Sequence, residues 1–270
     1  MGASLLLVGC GKMGGALLSG WLDQGIAPAD IAVIEPDPAG AGIARQAGLR
    51  VHADLAALPA GDRPATVVFA VKPQILDAVA PAFRRFAAAD TLFLSIAAGK
   101  PIGFFEGALS AEAAIVRAMP NTPAAVGRGI TVACANAAAG AAHRDRAGAL
   151  LEAVGEVAWI EDEGLMDAVT ALSGSGPAYV FLLIECLAQA GVAAGLPAGL
   201  ADRLALATVA GSGELARRAA EPPARLRENV TSPGGTTAAA LEVLMAPDGL
   251  RPLLDRAVAA AAARSRELAG

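Results

Sequence analysis

An apolar run, Ser4 to Val8, leads directly into Gly9-Cys10-Gly11-Lys12-Met13-Gly14, and a helical pattern begins at Lys12. No other feature restricts the fold so strongly. A short unbroken apolar run is what a parallel strand buried on both faces requires. Glycines spaced G-x-G-x-x-G between such a strand and a helix permit a tight turn. They also let a pyrophosphate approach the positive end of the helix. The spacing alone is weak; the strand before it and the helix after it make it a dinucleotide-binding context.

The same alternation continues. The pattern predicts strands at Ile31 to Ile34, Thr66 to Val71, Thr91 to Ile96, Ala114 to Arg117, Gly129 to Ala133 and Val154 to Ile160. Helices are expected from Lys12 to Gln24, Ala39 to Ala47 and Ile75 to Phe86. This order implies a Rossmann-type α/β fold, a doubly wound and mostly parallel sheet. After Asp162 only helical patterns remain: Glu163 to Leu172, Pro177 to Ala194, Ala198 to Arg218, Ala238 to Met245 and Leu250 to Leu268. Gly195-Leu196-Pro197 and Glu221-Pro222-Pro223 read as turns. The expected division is a dinucleotide-binding domain over residues 1–161. An all-helical substrate-binding and dimerisation domain then covers residues 162–270.

Composition narrows the class. Of 270 residues, 55% are hydrophobic but only 4% aromatic, so alanine-rich, closely packed helices are expected. Net charge is −5, and no basic patch with interleaved aromatics is present, which excludes nucleic acid as a partner. Cys10, Cys134 and Cys186 form no C-x-x-C pair and no metal pattern with His52 or His143, so no metal is expected. An odd cysteine count, and an apolar start (Met1 to Val8) that runs into a glycine loop, suit a reduced cytoplasmic protein. The apolar run Tyr179 to Ile184 stops at Glu185, too short to span a bilayer, so no membrane is expected.

Glu35 stands at the end of the second strand. A carboxylate there accepts hydrogen bonds from an adenosine ribose and repels a 2′-phosphate, which predicts NADH over NADPH. The alternative is that Glu35 only faces solvent. Cys10 reads as a small packing residue, and Lys12 as either a phosphate contact or a solvated charge. Val71-Lys72-Pro73 and Ser95-Ile96-Ala97-Ala98-Gly99 follow later strands. Ligands of such sheets bind at strand carboxyl ends, and the small residues there leave room for a nicotinamide ring.

In Ser232-Pro233-Gly234-Gly235-Thr236-Thr237 two glycines free backbone N–H groups just before a helix, with hydroxyls beside them. That is an anion site for a small carboxylate, or alternatively an elaborate helix cap. In Leu172-Ser173-Gly174-Ser175-Gly176-Pro177-Ala178-Tyr179, Ser175 is expected to cap the next helix. G-x-S-x-G is absent and no partner histidine is evident, which excludes a serine hydrolase.

These segments resemble the pyrroline-5-carboxylate reductase family. The matching blocks are Gly9 to Gly14, Ala70-Val71-Lys72-Pro73, Ala97-Ala98-Gly99, Arg117-Ala118-Met119-Pro120-Asn121-Thr122-Pro123, Leu172 to Tyr179 and Val230 to Leu244. They occur in family order over nearly the whole chain. The resemblance implies reduction of 1-pyrroline-5-carboxylate to L-proline with NADH or NADPH. It implies that Gly9, Cys10, Gly11, Lys12, Met13, Gly14, Glu35 and Asp37 hold the dinucleotide. Val71, Lys72, Pro73, Ala97 and Ala98 would line its nicotinamide end. Glu163, Asn229, Thr236 and Thr237 would border the substrate, and Ser232, Gly234 and Gly235 would bind its carboxylate. Homodimers or rings of dimers are implied as well. The chain departs from the family at Glu35-Pro36-Asp37, where a small hydroxyl residue is usual before Pro-Asp, and at Met245, where a polar residue is usual.

A protonated cyclic imine is already electrophilic, so the enzyme need only hold it in a near-attack geometry. Thr237 is the candidate for a hydrogen bond to the ring nitrogen, the alternative being a helix start. Competing readings are a reductase of another cyclic imino acid and a non-catalytic dinucleotide sensor. A β-hydroxyacid dehydrogenase calls for a lysine in the helical domain, and no lysine follows Lys100.

Overall fold

The computed structural model describes residues 4–59 and 61–269; Met1 to Ala3, part of the apolar start, lie outside them. The chain divides into two compact units. The first takes the chain up to Gly174 and regains it from Ala262; the second runs from Ser175 to Ala261. The first carries β1 (Leu5–Val8), α1 (Lys12–Asp23), β2 (Ile31–Ile34), α2 (Pro38–Gln46), β3 (Arg50–His52), β4 (Thr66–Phe69) and α3 (Leu76–Val79). Then follow β5 (Leu92–Ser95), α4 (Ile102–Ala108), β6 (Ala114–Met119), β7 (Gly129–Ala135), α5 (Ala141–Glu152), β8 (Gly155–Trp159) and α6 (Met166–Val169). The second carries α7 (Gly176–Ala193), α8 (Ala198–Arg218), α9 (Pro223–Asn229), α10 (Thr236–Leu244) and most of α11 (Leu250–Ala269).

The strands form one eight-stranded sheet in the order β3-β2-β1-β4-β5-β6-β7-β8. Every neighbouring pair is parallel except β6 and β7. That pair is joined through a 3₁₀ turn at Thr122–Val126, and so short a link suits an antiparallel pair because a parallel one needs a long crossover. The fold is thus a mostly parallel Rossmann-type sheet with a helical C-terminal region.

Strand alternation separates two cores. Leu5 and Leu7 face one side, with Val33, Val68 and Leu94, and receive Leu17, Leu18 and Trp21 of α1 and Leu151 of α5. Leu6 and Val8 face the other, with Val67, Phe69 and Phe93, and receive Phe83, Phe86 and Phe105. Phe69 meets Phe83 edge-on at 5.2 Å and stacks on Phe105 at 5.6 Å. The Trp21 indole N–H donates to the Leu150 carbonyl at 2.8 Å, pinning α1 to α5. Helices on both faces leave the strand carboxyl ends as the open edge. The chain runs outward in opposite directions from β1 and β4, and their junction is the switch point where such sheets take ligands.

Several elements differ from the sequence expectation. The helix expected over Ile75 to Phe86 is α-helical only in α3; a 3₁₀ segment, Ala80–Phe86, follows because Pro81 cannot donate to the ladder. The segment Glu163–Gly174 is composite: 3₁₀ at Glu163–Leu165, α6, then a π turn at Thr170–Gly174. There the Thr170 and Ser173 hydroxyls bond back to the Met166 and Val169 carbonyls, competing with the helical ladder. This segment packs with the first unit, whereas the sequence division was placed near residue 161. Pro223, read as part of a turn, instead begins α9.

The apolar run read from the sequence is part of a longer helical stretch. As a structure, Glu163–Ala193 is 31 residues long and apolar enough to cross a membrane by length and composition. The run at Tyr179 to Ile184 understated it, because Glu185 interrupts the sequence but not the helix. Only Ala188 of α7 is buried, while Val180, Phe181, Leu182, Leu183 and Leu187 are exposed.

Candidate active site

The glycine turn follows from local sterics. Gly9 takes φ +93°, a region that side chains rarely adopt, and a Cβ there would press on Val71 and the Ala70 backbone. A Cβ on Gly14 would strike the Gly9 carbonyl oxygen. A Cβ on Gly11, by contrast, would meet nothing within 4 Å. Two glycines therefore close the turn and the third leaves open space before α1. No side chain caps α1, so its first backbone N–H groups face that space together with the helix dipole.

Glu35 completes the turn. Its carboxylate accepts the Cys10 N–H at 2.6 Å and the Asp37 N–H at 2.8 Å. A carboxylate offers about four lone-pair sites, so each oxygen keeps acceptor capacity for a ribose hydroxyl. Asp37 caps α2, accepting from Gly40 N–H at 3.3 Å. Cys10 is buried, and burial, with the Glu35 charge adding, pushes its thiol up to about 11; it is a neutral packing group.

A cleft of about 420 Å³ opens at the switch point. It is lined by Gly11, Lys12, Met13, Ala70, Val71, Lys72, Pro73, Ile96, Ala97 and Ala98. Segments following β1, β4 and β5, far apart in sequence, thus share one surface. Lys12 and Lys72 bring positive charge, and Val71, Ala97 and Ala98 bring a small apolar wall. The geometry fits a dinucleotide: donors and cations for phosphates, free acceptors at Glu35, and a flat apolar end for a planar ring. Among the described residues no cluster of His, Cys, Asp and Glu could hold a metal ion.

Glu163, expected at the substrate border, is held by two donors of the first unit. Its Oε1 accepts from Arg117 Nη1 at 2.8 Å and from the Ile102 N–H at 2.8 Å. Arg117, on β6, is buried, and deleting either partner of such a pair costs about 3 kcal/mol, the low end because Glu163 is partly exposed. Sequence reasoning assigned Arg117 no role. Its signal is a lone charge inside an otherwise apolar strand run.

In the second unit, Asn229 ends α9 and donates to Glu221 at 3.2 Å. The bend beyond it closes with Gly235 N–H donating to the Ser232 carbonyl at 3.0 Å across Pro233 and Gly234, with Gly234 at φ +68°. Proline then glycine at the centre of a turn, the glycine at positive φ, is a type II arrangement. Gly235 is the N-cap of α10, and no side chain caps that helix. Among the described residues, the hydroxyls of Ser232, Thr236 and Thr237 bond to no protein group. No side chain thus plays the capping role at the start of α10. Ser175 also stands at an N-cap, of α7, but its side chain does not cap, contrary to expectation, because its backbone is already helical at φ −84° and ψ −23°.

The fold and the cleft define a nicotinamide-dinucleotide oxidoreductase of Rossmann type. Residues 163–268 match the family model for pyrroline-5-carboxylate reductase dimerisation, and residues 4–99 match that for NADP oxidoreductase, coenzyme F420-dependent. A pyrroline-5-carboxylate reductase of Pseudomonas aeruginosa is 40% identical over 98% of this chain and 96% of its own length. A pyrroline-5-carboxylate reductase structure from Coxiella burnetii superposes with TM-score 0.91 at 32% identity, covering 99% of both chains. A Plasmodium falciparum pyrroline carboxylate reductase with NADP bound gives TM-score 0.83 at 32% identity, covering 99% of this chain and 98% of that one. The chain belongs to the pyrroline-5-carboxylate reductase family.

Proposed function

We propose that this protein reduces 1-pyrroline-5-carboxylate to L-proline, with NADH preferred over NADPH. The observation that carries the reading is the meeting of the glycine turn, Val71-Lys72-Pro73 and Ala97-Ala98 on one cleft. The bound nicotinamide supplies the hydride. Backbone donors at the start of α1 hold the pyrophosphate, with Lys12 and Lys72 adding charge. Glu35 accepts from the adenosine ribose and disfavours a 2′-phosphate. Asp37 fixes the start of α2 beside it. Small side chains at Ala97 and Ala98 admit the planar ring edge-close.

Ser232, Gly234 and Gly235, with the donors opening α10, hold the substrate carboxylate; Asn229 and Thr236 border it. The Thr237 hydroxyl oxygen accepts the N–H of the protonated ring nitrogen, and the hydroxyl can turn to donate as the nitrogen regains its lone pair on reduction. That is sufficient chemistry, because the iminium form needs only orientation and exclusion of water. The exposed apolar faces of α7 and of Val243, Leu244 and Met245 suit burial against a second copy, giving a homodimer or a ring of dimers. All the cysteines are free, which suits a reducing cytoplasm.

The test is a steady-state assay of 1-pyrroline-5-carboxylate with each nicotinamide, beside its six-membered homologue. Turnover of the five-membered imine, with higher kcat/KM for NADH, is expected. Preference for the larger ring points to another imino-acid reductase. Dinucleotide binding without turnover of either imine points to a sensor.

A further inference from the structure

We infer that Arg117 and Glu163 form a positioning pair that sets the nicotinamide-facing wall of the cleft. The inference rests on the reading of the cleft as a nicotinamide dinucleotide site. Ala97 and Ala98 lie in a loop that leaves β5 at Ser95 and enters α4 at Ile102. Its two ends are fixed differently. At the first, Ser95 is held in register with Arg117 on β6, and the Ser95 hydroxyl accepts the Ala97 N–H at 3.3 Å. At the second, no side chain of α4 itself caps the helix; the acceptor for the Ile102 N–H is Glu163 Oε1, from far along the chain.

That same oxygen takes the Arg117 guanidinium, so one atom joins the strand under the loop to the loop's exit. Lys100 of the loop also pairs with Asp77 at 2.7 Å and stands over the Phe104 ring at 4.5 Å, but the Asp77 carboxylate is largely exposed and that pair holds weakly. Arg117 is buried and its partner is held by two donors, so the Arg117–Glu163 pair dominates the loop's geometry. Oε1 has both lone pairs engaged by these two donors, while Oε2 makes no protein hydrogen bond among the described residues and keeps its acceptor capacity. A shift of the wall by a fraction of an ångström changes hydride-transfer geometry while leaving the adenosine half of the site untouched.

The experiment compares Glu163→Ala, Glu163→Gln and Arg117→Met with wild type in the full-length protein. Three quantities are read: kcat at saturating NADH and imine, Kd for NADH, and Kd for ADP-ribose, which lacks the nicotinamide. Glu163→Ala and Arg117→Met should lower kcat at least tenfold and raise Kd for NADH at least fivefold. Kd for ADP-ribose should stay within twofold. Glu163→Gln keeps an oxygen for the Ile102 N–H and should fall between Ala and wild type. If the two truncations do not fold, Glu163→Gln carries the same readouts. Unchanged kcat and NADH affinity overturns the inference, as does loss of ADP-ribose affinity in step with NADH. The two binding constants need no turnover, so a wild type that reduces no imine fails the functional reading while the selective loss of NADH still tests the wall.

Discussion

The Glu35 carboxylate accepts the Cys10 N–H at 2.6 Å and thereby ties the end of β2 to the middle of the glycine turn. In the proposed function one side chain would both brace the phosphate loop and set negative charge against a 2′-phosphate. Glu35→Ser should therefore have two separable effects. Activity falls with both cofactors because the loop loses its brace. The ratio of kcat/KM for NADPH over NADH rises by about tenfold or more, on the order of 1.4 kcal/mol, because the repulsion is gone. Parallel titrations with both cofactors read the ratio, and an unchanged ratio removes Glu35 from cofactor choice.

The three glycines of the turn should separate in mutagenesis. Gly14→Ala drives a methyl into the Gly9 carbonyl and should destabilise the fold by about 3 kcal/mol. Gly11→Ala points into open space and should cost less than about 1 kcal/mol of stability. It should nevertheless weaken NADH binding, because its methyl occupies the phosphate's approach. Thermal melts and NADH titration on both variants distinguish structural from ligand-facing glycine.

Thr237 and Ser232 should differ in the parameter they change. Thr237→Ala should lower kcat/KM about tenfold or more through kcat, if its hydrogen bond strengthens as the imine is reduced. Ser232→Ala should raise KM for the imino acid and leave kcat nearly unchanged, since a carboxylate clamp acts on ground and transition states alike. Wild-type kinetics in Thr237→Ala would remove its catalytic role.

Two thiols give the fold an alkaline limit. Burial raises both Cys10 and Cys134 from 9.0 to about 11 in the folded protein. Unfolded, they ionise near 9.0; folded, they stay protonated. Their contribution is complete below pH 9 and is lost as the pH rises towards 11. Cys10→Ala, with Cys134 also replaced, should flatten the decline in thermal midpoint between pH 9 and 11. A decline of the same slope in that double variant would place its origin elsewhere.

How much was legible in the sequence depended on burial pattern. β2 was bounded at Ile31 and Ile34 from its apolar run alone, and α8 at Ala198 and Arg218 from its length and its turns. β3 escaped because Arg50 to His52 is a half-buried edge strand of three residues without an apolar run. α5 escaped because its buried residues, Ala147, Gly148, Leu150 and Leu151, gather in its second half, and the small pair gives almost no periodic signal. The cleft was legible as three separate strand ends, each placed at a carboxyl terminus by the fold class. The partners of Glu35 and Glu163 were not, because both pair with groups that pattern reasoning cannot bring together: a backbone N–H across the loop, and an arginine on another strand.

The indole of Trp21 is locked to the Leu150 carbonyl within the first core, on the helix that opens from the phosphate turn. That chromophore stands about 13 Å along α1 from the glycine turn, at about 1.5 Å per residue, within energy-transfer reach of a coenzyme in the proposed cleft. Its emission overlaps the absorption of a reduced nicotinamide, so NADH seated in the proposed cleft should dim the protein's own light and its oxidation should restore it.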